Sequence, residues 1–167
     1  MEWLLLVLLP SALVLAAGYD VATYTIPNWL SLTIALVFPA MALIAGMPLT
    51  SFAFHIAIGV ATLAFGIVLF AMRLFGGGDA KLLAATALWM GPQSIVGFLV
   101  GTAMIGGALA TGILLFRRIP LPAELVALPW AQRLHSKDKG LPYGVAIAGG
   151  GLAIYYASPI ALYLGAN

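Results

Sequence analysis

The sequence predicts an all-α, polytopic membrane protein built as a bundle of six transmembrane helices, and three observations carry that expectation. First, 63% of the 167 residues are hydrophobic and 7% are charged, with a mean hydropathy of +1.12; an ordinary soluble domain carries roughly 25% charge. Second, apolar runs of near-spanning length follow one another along the chain. They are too continuous for the alternation of a barrel strand, so the backbone must be satisfied within helices. Third, the charges sort completely by side once the runs are treated as crossings.

A hydrocarbon core of about 30 Å needs about 20 apolar residues. The windows bounded by charge, Pro or Gly are Trp3 to Tyr19, Trp29 to Ala45, Phe52 to Met72, Leu82 to Met90 with part of its flanks, Ile95 to Phe116, and Tyr143 to Leu164. The first opens with Glu2 and no Lys or Arg, which does not suit a signal peptide. Pro27 and Pro142 precede the second and sixth, a position that suits proline, and Pro39 should kink the second. His55 falls in the outer half of the third and reads as a tolerated interior histidine. In the fifth, Gly97-Phe98-Leu99-Val100-Gly101 offers a small face for helix packing, as do Gly149 to Gly151 in the sixth. Trp3, Trp29, Trp89 and Trp130 read as interfacial belt residues.

The fourth window is short, and the charges argue for it. With six crossings, Arg73, Lys81, Arg117, Arg118, Arg133, Lys137 and Lys139 share one face, while the other holds only Glu2. By the positive-inside rule that basic face is cytoplasmic and both termini lie outside. With five crossings, Arg73 and Lys81 would oppose the later basic residues across the membrane. The stretch Arg117 to Leu141, broken by Pro120, Pro122 and Pro129, reads as a loop at the cytoplasmic interface. No repeat or second domain is evident, so residues 1–167 are read as one integral-membrane domain.

The basic residues are thus topology signals toward a lipid bilayer, not a nucleic-acid surface. There is no cysteine, and no His, Cys or carboxylate cluster has metal spacing, so neither a metal nor another cofactor is expected. Oligomeric state is not readable from these residues.

An ionisable residue at a span boundary needs a reason. Asp20 ends span one in Gly18-Tyr19-Asp20, and Asp79 opens span four in Gly76-Gly77-Gly78-Asp79-Ala80-Lys81. The topology brings both carboxylates to the same depth on the cytoplasmic side. Asp79 could be a helix N-cap, but three preceding glycines allow a tight bend and close approach of another chain. Asp79 at a helix N-terminus should favour its ionised form, and Asp20 at a C-terminus its protonated form. Two such carboxyls sharing one proton is the arrangement of aspartic proteolysis. In that reading Asp79 activates the water and Asp20 holds the carbonyl oxygen. Lys81 and Asn28 are candidates for substrate binding, weighed against an anchoring role for Lys81 and a capping role for Asn28.

Gly76-Gly77-Gly78-Asp79 resembles the GxGD motif of intramembrane aspartyl proteases, and Ala80-Lys81-Leu82-Leu83 extends the resemblance to the type IV prepilin peptidases. Asp20 followed by Ile26-Pro27-Asn28-Trp29-Leu30 resembles their first aspartate and its IPN segment. Leu141-Pro142-Tyr143-Gly144-Val145-Ala146-Ile147 resembles the last span of small members of the Cpa/Tad type. The resemblance implies a bacterial inner-membrane endopeptidase, needing no cofactor, that removes prepilin leaders at the cytoplasmic face. Asp20 and Asp79 would be its catalytic pair, with Gly76, Gly77 and Gly78 the active-site loop. Without cysteines the N-methylating activity of larger relatives is not expected. Val21 to Thr25 stands where relatives are often basic, which bears on substrate choice. Two alternatives stay open, a catalytically silent scaffold of pilus assembly and a presenilin-like GxGD protease with another substrate. A transporter fits poorly, since the acids cluster at one face and not at the midplane.

Overall fold

The computed structural model describes residues 6–121, 123–136 and 140–165. The starts of the first window (Trp3 and Glu2), Pro122, Lys137 and Lys139 lie outside the described residues. The described residues are helical, without strands. In order they form α1 (Leu8–Thr23), α2 (Asn28–Ile44), α3 (Leu49–Ala71), α4 (Gly77–Phe116), α5 (Ala123–Val126), α6 (Pro129–His135), α7 (Tyr143–Tyr155) and α8 (Pro159–Gly165). Two of them, α3 and α4, are long and apolar enough to cross a membrane.

The 40-residue α4 joins the fourth and fifth windows, but it is not one rod. Gly91 breaks it with φ +64° and ψ −177°, a backbone region open in practice to glycine alone. A methyl built on Gly151 of α7 would lie 3.1 Å from Thr86 and 3.8 Å from Phe98. In a straight helix those two residues would be about 18 Å apart. The arms 77–90 and 92–116 therefore fold back on each other.

Pro92 has no N–H, which leaves the Leu88 carbonyl without its helical donor. The His55 ring fills the gap, with Nδ1 2.8 Å from the Leu88 oxygen. His55 is buried and stacks on Phe38, which agrees with an interior histidine.

The 77–90 arm is the centre of the bundle. Leu82 through Gly91 are buried without interruption, and α2, α3 and α7 pack on this helix while α1 packs on α7. This short central arm is shielded by its neighbours. The surrounding helices instead expose large apolar side chains, among them Val14, Leu36, Phe54, Phe65 and Met104. So wide an apolar exterior is what a lipid environment accommodates.

Small residues let the helices close. Gly59 and Gly66 of α3 lie against Leu88 and Ala80, Gly97 lies against Ile154, and Gly101 against Gly150. The pair at positions 97 and 101 thus packs inside the bundle.

Two expectations need correction. Trp89 is not a belt residue: it is 1% exposed, donates Nε1–H to the Ile34 carbonyl at 2.9 Å and meets Phe38 and Tyr155 edge-on. The central position of its helix overrides the usual preference of Trp for an interface. Tyr143 to Leu164 is not a single helix, because Pro159 cannot donate and restricts Ser158, so α7 ends at Tyr155. Pro39 lies inside α2, which continues to Ile44.

Candidate active site

Asp20 lies in the last turn of α1, where Tyr24 closes the helix in a left-handed conformation (φ 56°) and donates its N–H to the Asp20 carbonyl at 2.8 Å. Its carboxylate crosses to the start of α7. There Oδ2 accepts the Gly144 N–H at 2.6 Å, a helix N-terminus offering its free donors to an anion. A methyl on Gly144 would come within 2.8 Å of that oxygen, so only glycine admits the acid. Asp20 is 4% exposed.

Asp79 sits in the first turn of α4. It is not the N-cap: Gly76 holds that position, and Asp79 reaches back from N3 to accept the Gly76 N–H at 3.3 Å, the half of a capping box that needs no cap side chain. The three glycines serve space and not unusual torsion. Gly76 has φ −74°, and among the described glycines only Gly46 and Gly91 have positive φ. A methyl on Gly76 would meet the Asp79 carboxylate at 2.7 Å, and one on Gly78 would meet Ile26 at 3.2 Å, while Gly77 is merely in contact with the Phe70 ring. The turn before them is made by Arg73, with φ 59°.

The two acids share one end of the bundle, beyond the apolar spans that end at Tyr19 and begin at Leu82. Burial pushes Asp20 up to about 6, opposed by the N–H groups of Gly144 and Val145. Burial and then the charge of Asp20 push Asp79 up to about 7, opposed by the Gly76 N–H. Both carboxyls are thus raised above the ordinary aspartate range. Asp20 ends one helix but also faces the N-terminus of another, whose donors favour its carboxylate.

The described basic residues of the loops gather at this end. Arg133 of α6 donates to the Ala22 carbonyl, and Arg117 reaches Leu134 at 2.8 Å and Gly140 at 3.2 Å. The loop between α4 and α7 is partly helical and folds over the end of α1. Among the described residues no group of His, Cys, Asp or Glu could hold a metal ion.

Lys81 donates Nζ–H to Asn28 Oδ1 at 2.8 Å. Asn28 is therefore the first helical residue of α2 with its amide engaged by Lys81, not a cap, since Pro27 takes the cap position with no side-chain bond. The pair lies at the polar end of a cleft of about 500 Å³ between α2 and α3, floored by the 77–90 arm. Ser31, Ala35, Gly59, Val60, Ala84 and Leu88 continue it away from the acids.

An α-helical bundle with two acids at one end, one of them in a Gly-Gly-Gly-Asp turn, can be compared with known proteins. The model of the type IV leader peptidase family (Peptidase_A24) matches residues 7–111. The chain belongs to the type IV leader peptidase family. No curated protein and no solved structure matches it. The matched stretch of this leader peptidase family member contains Asp20 and Asp79, whereas Gly144, which holds Asp20, lies beyond it. Gly144 is the site residue that reading the acids alone misses, although the start of a helix at Pro142-Tyr143-Gly144 is itself a signal for an anion site.

Proposed function

We propose that the protein is a membrane-embedded aspartic endopeptidase that removes the leaders of type IV prepilins of the Flp/Tad type. Asp20 and Asp79 are its catalytic pair, sharing one proton. The observation that carries the reading is the placement of buried Asp20 and half-buried Asp79 at one end of the bundle, each held by a backbone N–H donor. One acid of the pair, as carboxylate, takes a proton from the attacking water, while the other, protonated, hydrogen-bonds the scissile carbonyl and its proton passes on toward the leaving amine. The pair titrates as a unit. The substrate lies extended beside Gly76–Gly78, because a helical segment hides its carbonyls from attack. Six crossings put the site at the cytoplasmic face of the bacterial inner membrane with both termini outside.

The test is co-expression with small candidate prepilins, following leader loss by mass spectrometry. Cleavage at one bond next to the leader glycine is expected. A well-expressed protein that cleaves none of them contradicts the reading and favours the silent scaffold.

The single-proton state also sets a pH profile. Activity rises as the pair loses its first proton and falls as it loses its second, both steps raised above the ordinary aspartate range to about 6 and about 7. A narrow bell with its maximum near about pH 6.5 is expected for kcat/KM. A profile flat from pH 5 to 8, a range of about three units around neutrality, contradicts the shared proton.

In this reading Lys81 and Asn28 bind substrate at the polar end of the cleft. Lys81→Ala is expected to raise KM by about 5- to 10-fold with kcat changed by less than about twofold, the pattern of a lost binding contact. Steady-state kinetics on a detergent-solubilised prepilin checks it.

A further inference from the structure

Ile26 belongs to neither acid-bearing helix, yet it stands against the backbone beside each acid. It is 7% exposed. A methyl built on Gly78 would come within 3.2 Å of Ile26 Cβ and 3.4 Å of its backbone N and O; one built on Gly144 would come within 2.9 Å of its Cδ1. Gly78 immediately precedes Asp79, and Gly144 holds Asp20 through its N–H. One side chain therefore lies between the turn that carries one acid and the helix start that grips the other.

Local sequence makes this a stiff spacer. Isoleucine is β-branched and restricted at χ1, and Pro27 confines the residue before it to extended backbone. The two glycines let main chain close directly onto the spacer from opposite sides.

We infer that Ile26 is a positioning residue: its side chain, seated between Gly78 and Gly144, sets the separation at which Asp20 and Asp79 face each other. The kinetic consequence rests on the peptidase reading, but the geometric one does not. Misplacing reacting groups by about 1 Å can cost about 100-fold in rate. Ile26→Ala is therefore expected to lower kcat by about 10-fold or more while KM stays within about twofold. Ile26→Val, which keeps the branch and loses only Cδ1, falls between.

The chain contains no cysteine, so Asp20→Cys with Asp79→Cys introduces the only two thiols. In membranes, bifunctional thiol reagents of graded reach then report the separation, with the linked product read by mass spectrometry. The expected result is a sharp optimum of reach with Ile26 in place and a shifted or broadened one with Ile26→Ala or Ile26→Val. Ile34→Ala, an equally buried truncation in α2, should leave the optimum unchanged. If Ile26→Ala does not fold, Ile26→Val carries the comparison. The same reach profile in every background overturns the inference, as does an equal shift with Ile34→Ala, which would mark general loosening. A shift specific to Ile26 in a protein that cleaves no prepilin sustains the spacer and overturns the peptidase reading instead.

Discussion

Asp20→Asn and Asp79→Asn each lower leader cleavage by about 1,000-fold or more, and combining them costs little further. The magnitude is that of losing a general acid or base, and the lack of additivity is that of groups acting as one unit. Asparagine is the informative replacement because it preserves shape. At position 20 its amide oxygen still accepts the Gly144 N–H that the carboxylate accepts at 2.6 Å, and at position 79 it still faces the Gly76 N–H. Neither can exchange the proton. Both variants should therefore accumulate in membranes and resist limited proteolysis like the native protein while failing to turn over. Rates from purified protein, normalised to folded enzyme, check this; substantial cleavage by either variant contradicts the pair.

Gly91→Ala is expected to destabilise the fold more than any surface change, by about 2–6 kcal/mol. Two costs add. The backbone at φ +64° and ψ −177° is worth about 1–3 kcal/mol of strain for a residue with a Cβ. The new methyl would run into Cε1 and Nε2 of the His55 ring, an overpacking of about 1–3 kcal/mol. Removing the ring does not rescue the variant, since His55 also supplies the hydrogen bond that Pro92 denies the Leu88 carbonyl. Thermal unfolding in detergent measures the effect. Gly107→Ala and Gly112→Ala, where a methyl meets nothing within 4 Å, should leave the unfolding temperature within a few degrees, about the effect of 1 kcal/mol in a chain of this size.

Both acids and their meeting at one end were legible before any coordinate, because charge is so rare in this chain that each ionised group has a topological reason to be where it is. The expectation of a fourth pass rests on the same rarity, since it lets Arg73 and Lys81 share a face with the later basic residues. The faces of the helices were not legible. In a bundle whose interior and exterior are both apolar, hydropathy cannot tell a lipid-facing Leu36 from a buried Leu82, and so Trp89 looked like a belt residue while it fills the core. The partner of Asp20 was hidden because Gly144 is 124 positions away and acts through its backbone. Asn28 was misread as a cap because its cation, Lys81, lies 53 residues downstream. The purpose of Gly76 and Gly78 is likewise a tertiary fact. Sequence shows that glycine is there, and only packing shows that each makes room for a different neighbour.

The claim that two acids share one proton is tested most directly by observing their carboxyl groups. The chain has three aspartates, and Asp138 lies in the loop between α4 and α7, outside the described residues. In an Asp138→Asn protein labelled with carbon-13 at the aspartate carboxyl, Asp20 and Asp79 alone titrate in the spectrum. The account predicts two coupled steps, both above the ordinary aspartate value of about 3.9. Asp20→Asn should move the Asp79 step down, because the charge that raises it is gone. Two independent titrations near the ordinary value, with Asp79 indifferent to Asp20→Asn, would contradict it.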